Sequence, residues 1–327
     1  MTEEINYPIK FEPILKEKIW GGNKLISKLN KKSTSNQVGE SWELSGLKDD
    51  NSRVTNGFLK GKSITELIEV YKQDFLGTQN FKNFGAKFPL LFKFIDAKED
   101  LSIQLHPNDE LAKIKHDSFG KTEMWYVIDS ERDNAKIYNG FAKKVDQKSY
   151  TDSVNSGNVL DLINVDKVKE GDVFFIKAGT IHAIGKGVLL AEIQQTSDVT
   201  YRIYDWDRVD KHGCSRELHN DLAVEALDFS RIGSCKLNFN ENKVVASIIN
   251  SQYFTTNKIN VTEEFERKVD EIDSFVVYMC VNGEGIVTVN GKKEVLKKGE
   301  TILVPAIVRV LQFKPKKDKL TLLEVYV

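Results

Sequence analysis

The sequence predicts a mainly β protein made of two related β-barrels, with helical insertions in the first half. Three observations lead there. Short runs of branched and aromatic residues, separated by glycine-containing turns, recur along most of the 327 residues. Only three stretches carry helical spacing. A twelve-residue pattern beginning at Gly171 returns at Gly299, with a constant offset of 299 − 171 = 128.

Ser63-Ile-Thr-Glu66 reads as a capping box, and Leu67, Ile68, Tyr71 and Phe75 follow at near-helical spacing. Residues 88–96 are rich in aromatic and branched side chains and read as a strand. Asn108 caps a short expected helix through Leu111 and Ile114. Residues 124–128, 173–176 and 188–194 read as further buried strands. A third helix is expected over 215–227, with Leu218, Leu222, Val224 and Leu227 on one face.

The polar stretch 238–243 is the expected boundary, giving one domain over 1–238 and a smaller one over 239–327. The last third is all β in pattern. Residues 275–281 precede the turn Asn282-Gly-Glu-Gly285, and Asn290-Gly291 between two strand runs signals a tight hairpin. Lys314-Pro-Lys-Lys317 is expected to be a solvated turn. In the repeat, Gly171-Asp-Val-Phe-Phe-Ile-Lys177-Ala-Gly179-Thr-Ile-His182 aligns with Gly299-Glu-Thr-Ile-Leu-Val-Pro305-Ala-Ile307-Val-Arg-Val310. Both copies read as glycine turn, buried strand, tight turn. The second lacks the histidine.

Composition narrows the function. Lys and Arg (47) nearly cancel Asp and Glu (48), so no global field draws the chain to nucleic acid or an anionic membrane. An anionic ligand would need a local cluster of cations. Cys214, Cys235 and Cys280 are odd in number, far apart and without a C-x-x-C, which points to neither a disulfide framework nor a thiolate metal site. Met1-Thr2-Glu3-Glu4 is acidic with no apolar leader behind it, and apolar runs fall far short of the ~18 residues of a membrane span. A cytoplasmic protein is expected.

Five histidines occur, and two stand in unusual settings. In Leu101-Ser-Ile-Gln104-Leu-His106-Pro-Asn-Asp109, Gln104 and His106 are two apart and share one strand face, opposite Ile103 and Leu105. His182 follows a buried strand and the turn Ala178-Gly179-Thr180. Glu123 opens the apolar strand Met124-Trp-Tyr-Val-Ile128, where a lone carboxylate is costly without a cation. Taken one at a time, a buried histidine is more often a hydrogen-bonded core residue, and a strand-initial glutamate a surface one. Together, two imidazoles, a carboxylate and an amide oxygen suit a borderline divalent metal, zinc first. Lys121, Lys93 and Arg202 are the nearby cations. Around one metal they would make a site for a phosphorylated or carboxylated substrate. Arg202 alternates with its neighbours so as to share a face with Thr200 and Tyr204.

Trp20-Gly-Gly22, Gly39-Glu-Ser-Trp-Glu43, Ser102-Ile-Gln-Leu-His-Pro-Asn108, Gly120-Lys-Thr-Glu-Met124 and Ala178-Gly-Thr-Ile-His-Ala183 together resemble the type I mannose-6-phosphate isomerases of the short bacterial kind. The resemblance covers nearly the full length. Gly171-x5-Lys177-x-Gly179-x2-His182 resembles the second cupin motif, with Lys177 where proline is usual. The implied fold is a double cupin, two barrels or jelly rolls with helical insertions in the first half. The implied metal ligands are His106, Glu123 and His182, with Gln104 a further one. One zinc ion per chain is implied. Arg202 matches an active-site arginine, Lys121 a lysine of the sugar-phosphate pocket, and Ser102 a serine near the substrate.

The implied reaction interconverts mannose 6-phosphate and fructose 6-phosphate through an enediolate. Lys121, Glu123 and a metal-bound water are the candidates for its base. Two other classes share the pattern: a non-enzymatic sugar-sensing cupin and an iron-dependent cupin oxygenase. The first would need a DNA-binding element, and no basic stripe or helix-turn-helix is present. The second offers no role for Lys121 and Arg202. The expected partner is a small sugar phosphate, with neither nucleic acid nor membrane involved. The oligomeric state is not encoded legibly.

Overall fold

The structure, a computed structural model, describes residues 5–131, 135–210 and 212–327. The acidic start, residues 1–4, lies outside the described residues.

The first part of the chain supplies β1 (Ile9–Lys10), β2 (Ile14–Gly22), β3 (Val38–Leu44), β4 (Leu90–Ala97), β5 (Ile103–Leu105), β6 (Glu123–Ser130) and β7 (Lys136–Phe141). Then come β8 (Ile163–Lys167), β9 (Val173–Ile176), β10 (His182–Ile184), β11 (Val188–Gln195), β12 (Tyr201–Tyr204) and β13 (Lys236–Leu237). Seven of these form one sheet in the order β13-β9-β6-β11-β4-β2-β3, and five form a second, β12-β5-β10-β7-β8. The two sheets face each other as the first barrel.

The second barrel uses β14 (Val245–Asn250), β15 (Thr255–Val261), β16 (Phe265–Lys268), β17 (Val276–Asn282) and β18 (Glu284–Val289). It is completed by β19 (Lys292–Lys297), β20 (Thr301–Val304), β21 (Val310–Pro315) and β22 (Leu320–Tyr326). Its sheets run β1-β20-β17-β22-β15-β14 and β16-β21-β18-β19. The N-terminal β1 thus extends a sheet of the second barrel, with Ile9 opposite Leu303.

The strand period of two decides which way each side chain of the large sheet faces. Phe92, Phe94, Met124, Tyr126, Leu189 and Ile193 turn outward and join Phe275, Val277 and Leu323 of the second barrel in one apolar core. Their neighbours Ile95, Trp125, Val127 and Leu190 turn inward, into the first barrel. The repeat is structural as well. β9 (173–176) and β20 (301–304) occupy the same place 128 residues apart, each led by a glycine of positive φ, +89° at Gly171 and +87° at Gly299. Asn290 (φ 47°) and Gly291 (φ 76°) form the hairpin between β18 and β19, where both central residues need left-handed conformations.

Six α-helices are described: α1 (Lys24–Ser27), α2 (Ile64–Leu76), α3 (Thr78–Phe84), α4 (Asp109–His116), α5 (Gln147–Asn155) and α6 (Asn220–Ala226). Ser63 and Glu66 form the reciprocal capping box of α2, a cap worth about 1 kcal/mol. Asn108 caps α4 by accepting from the Leu111 N–H at 2.9 Å.

Helix α4 runs through Leu111 and Ile114 as expected, burying its face through Ala112 and leaving Ile114 exposed. Two expectations need correction. The third helix starts at Asn220 rather than Ser215. Arg216 before it is drawn to Asp205, and the His219 N–H donates to the Arg202 carbonyl, so 215–219 follow long-range partners instead of a helix. Lys314 and Pro315 finish β21, leaving only 316–317 in the turn. Helix α5, capped by Asp146, was not foreseen, since it buries little beyond Tyr150.

Among the described residues no helix is long and apolar enough to cross a membrane.

Candidate functional site

Three residues from separate elements meet inside the first barrel. Glu123 opens β6 on the large sheet. His182 opens β10 on the small sheet, and His106 lies one residue beyond β5. All three are buried, with ligand-capable atoms within 4.8 Å of one another. Glu123 Oε1 is 3.3 Å from His182 Nε2, and Glu123 Oε2 is 3.6 Å from His106 Nε2.

The backbone fixes both rings. His106 Nδ1 lies 2.9 Å from the Val199 carbonyl, and His182 Nδ1 lies 2.9 Å from the Thr180 carbonyl. A carbonyl only accepts, so each Nδ1 carries the proton and each Nε2 presents its lone pair to the centre. The Gly179 N–H donates to the His106 carbonyl at 2.8 Å, tying the two histidine segments together. Gly179 takes φ +81°, and a Cβ there would stand 2.9 Å from the Ala226 carbonyl oxygen, so glycine is required. Lys177, the departure from the cupin pattern, is exposed beside this turn and away from the centre.

Electrostatics mark the same point. Burial pushes the His182 imidazolium down to about 4, and burial together with the Lys121 charge pushes His106 well down, so both rings are neutral at neutral pH. Burial raises the Glu123 carboxyl above the usual carboxylate range, against the pull of Lys121. Glu123 Oε1 and His182 Nε2 are buried without a hydrogen-bond partner, and Glu123 Oε2 has only the Lys121 ammonium beside it. Lys121 Nζ stands 2.8 Å from Glu123 Oε2 and donates to His106 Nε2 at 2.9 Å. A cation is therefore already drawn to the middle of the donor set. Orphaned buried donors of this type fit a divalent metal.

A row of residues leads away from this centre across the small sheet. In register, His182 lies opposite Gln104, and Gln104 lies opposite Arg202. Directly opposed residues share a face, so these three side chains line one wall of the cleft, together with Ser102. The Ser102 hydroxyl donates to Gln104 Oε1 at 3.2 Å. Thr200 lines the cleft with Arg202, but Tyr204 does not. A register shift between Arg202 and Tyr204 places Tyr204 opposite Ile103, with the outward apolar cluster. This corrects the expectation that Tyr204 shares the Arg202 face.

A second row crosses the large sheet: Trp42, Lys93, Glu192 and Trp125, each opposite the next. Glu192 Oε1 pairs with Lys93 Nζ at 2.9 Å, and the Trp125 indole donates to Glu192 Oε2 at 3.0 Å. Burial raises the Glu192 carboxyl, but Lys93 and Lys121 outweigh it and hold it below the usual range. Glu40, paired with Lys18 at 3.3 Å, accepts from the Trp42 indole at 2.6 Å and also lines the cleft.

Glu192, Glu40 and Lys18 were not singled out from sequence. Glu192 carries the signal that revealed Glu123, a lone carboxylate in a wholly buried strand. Arg216 also lines the cleft, from an irregular segment whose sequence carries no such signal.

Comparison with known proteins agrees with this architecture. The family model for the catalytic domain of type I phosphomannose isomerase matches residues 9–151. That for the cupin domain of mannose-6-phosphate isomerase matches 245–317. The chain is 36% identical to the mannose-6-phosphate isomerase ManA of Bacillus subtilis, over 93% of this chain and 94% of the relative. It is 32% identical to the mannose-6-phosphate isomerase of Streptococcus mutans, over 94% and 95% respectively. The crystal structure of the Bacillus subtilis mannose 6-phosphate isomerase superposes with a TM-score of 0.88 at 35% identity, covering 98% of this chain and all of that one. With the barrels, the buried His-Glu-His cluster and these relatives in agreement, the chain belongs to the type I mannose-6-phosphate isomerases, aldose–ketose isomerases of the cupin fold.

Proposed function

We propose that the protein interconverts mannose 6-phosphate and fructose 6-phosphate through an enediolate, using one zinc ion held by His106, Glu123 and His182, with Gln104 as a further ligand. The observation that carries this reading is the buried donor set, whose His182 lines a cleft that carries Gln104 and Arg202 along the same wall. The relatives named above act on the same sugar phosphate by name.

The reaction takes the proton from C2 of the aldose and returns one to C1, while the hydrogen on the two oxygens is redistributed. Zinc in this site would supply a Lewis acid for the oxygens on C1 and C2, which gather charge as the enediolate forms. The protein does the rest. His106 and His182 are held in one tautomer by backbone carbonyls, so their orientation costs nothing at the moment of reaction. Glu123, as a ligand, is a poor free base. Lys121 and Glu192, both buried and lining the cleft, are then candidates of this chain to carry a proton at the reacting carbons. Arg202, one strand beyond Gln104, holds the developing negative charge. Ser102 orients a sugar hydroxyl.

Elemental analysis of the purified protein, with a coupled isomerase assay on mannose 6-phosphate before and after chelation, tests this. We expect turnover that disappears with the metal and returns with zinc. Stoichiometric metal without turnover of mannose 6-phosphate would overturn the reading, and iron as the metal restoring activity would redirect it.

A further inference from the structure

We propose that Arg216, fixed by Asp205, grips the phosphate of the substrate at the end of the cleft away from the metal-binding cluster, an assignment that rests on the sugar-phosphate reading above. Arg216 lines the same cleft as Arg202, Ser102 and His182. Its Nε donates to Asp205 Oδ2 at 2.7 Å and its Nη2 to Asp205 Oδ1 at 2.6 Å. Asp205 is itself buried and also accepts from Arg208 Nη2 at 2.5 Å. Arg208 is committed elsewhere, since its Nη1 donates to the Asp100 carbonyl at 2.6 Å. Asp205 is thus a positioning residue: one carboxylate neutralised by two arginines, holding the fork of Arg216 in a fixed plane.

Donors remain unspent where this fork meets the cleft. Arg202 gives its Nη1 to the Glu217 carbonyl, but its Nε is buried without a partner. Among the described residues Arg216 Nη1 has no hydrogen-bond partner either. Two guanidiniums therefore offer N–H groups to one space, the arrangement that meets several oxygens of an anion at once.

Charge separates the two ends. Around the metal-binding cluster the cations are matched, Lys93 by Glu192 and Lys18 by Glu40. Among the residues that line the cleft, the far end sets Arg202 and Arg216 against the exposed Asp198; Asp205 and the solvent-exposed Glu217 also neighbour Arg202. A phosphate dianion belongs at the second end. His182 and Arg202 are two strand spacings apart, roughly 10 Å, and Arg216 lies beyond. An extended hexose phosphate spans that distance with C1 and C2 at the metal end. Holding Arg216 on Asp205 beforehand also removes much of the side-chain entropy that binding would cost.

The test uses the zinc-loaded full chain. Arg216→Ala should raise KM for mannose 6-phosphate about 10- to 100-fold, the range for losing a charge-assisted hydrogen bond, with kcat within about threefold. Inorganic phosphate, tested as a competitive inhibitor, should lose affinity by the same factor. Arg216→Lys, which keeps the charge without the fork, should fall between. If alanine loses the fold, Arg216→Gln keeps a donor to Asp205 and gives the same readout. An active wild type whose KM and phosphate affinity do not change in these folded variants overturns the Arg216 assignment alone, and so does a loss confined to kcat. A wild type without isomerase turnover, but with phosphate binding that depends on Arg216, overturns the isomerase reading and leaves the anion site standing.

Discussion

Removing one imidazole separates the site from the fold. His182→Ala deletes an Nε2 that has no hydrogen-bond partner and one local bond from Nδ1 to the Thr180 carbonyl, so the barrel should stay folded. We expect zinc well below one equivalent and very low isomerase activity. Full zinc retention with normal turnover would remove His182 from the centre. Arg202 is a different case. It sits two strands from His182 in register and keeps an unspent Nε in the cleft. If it stabilises charge that appears only in the transition state, Arg202→Ala should lower kcat by ~10²-fold or more. If it only anchored substrate, KM would rise and kcat would hold. We expect the first, the opposite of the pattern expected for Arg216. Lysine should substitute poorly, lacking the planar fork. Steady-state kinetics of both variants, with zinc measured in each, decide between them.

At the level of elements, the segment following β12 is anchored by charge as well as by the packing of Trp206 on Tyr138 and Tyr204. The charged anchor is Asp205. Burial raises that carboxyl, but hydrogen bonds from Arg216 and Arg208 outweigh burial and hold it below its ordinary value. A carboxylate whose folded pKa lies below its unfolded value of about 3.9 stabilises the fold above that pH. That stability is lost as pH falls through the folded value. Wild type should therefore lose thermal stability between about pH 4 and pH 2 more steeply than Asp205→Asn, which has no such proton to take up. Melting curves across that range test it, and parallel slopes for the two proteins would contradict it. The strands give a contrasting element. In β4 and β11 the inward Lys93 and Glu192 are paired deep in the barrel, and losing either partner would strand a buried charge, a loss of about 3–5 kcal/mol.

For the whole molecule, the two barrels are variations on one pattern, and their differences predict a single metal site. Each β9 position maps to β20 by adding 128, and the ladders carry the match outward. Glu123 lies opposite Ile176, as Val276 lies opposite Val304. His182 lies opposite Gln104, as Val310 lies opposite Lys268. Valine therefore replaces both a carboxylate and an imidazole. What survives is the inner row: Glu192 with the Trp125 indole becomes Glu324 with the Tyr278 hydroxyl, which donates at 2.9 Å. There Glu324 is closed off by Arg267 and Asn257 rather than opened to a cleft. One tightly bound metal per chain is expected by elemental analysis, and none in the second barrel. A second equivalent that survives in His182→Ala would contradict this.

The sequence by itself determined the local grammar. Period-two runs set the strands, Ser63 and Asn108 set helix starts, and Asn290-Gly291 set a hairpin, because each depends on backbone preferences within a few residues. The same locality made His106, Glu123 and His182 legible, as lone polar groups in apolar surroundings at recognisable spacings. Glu192 was equally legible by that criterion. Tertiary structure alone decided which of these polar groups meet. Only the pairing of β10 with β5 and β5 with β12 aligns His182, Gln104 and Arg202, and only the facing of two sheets brings Glu123 to them. It also overrode the helical pattern at 215–219. Arg216 finds its counter-charge 11 residues back at Asp205, and an ion pair of that reach leaves no periodic trace in the chain.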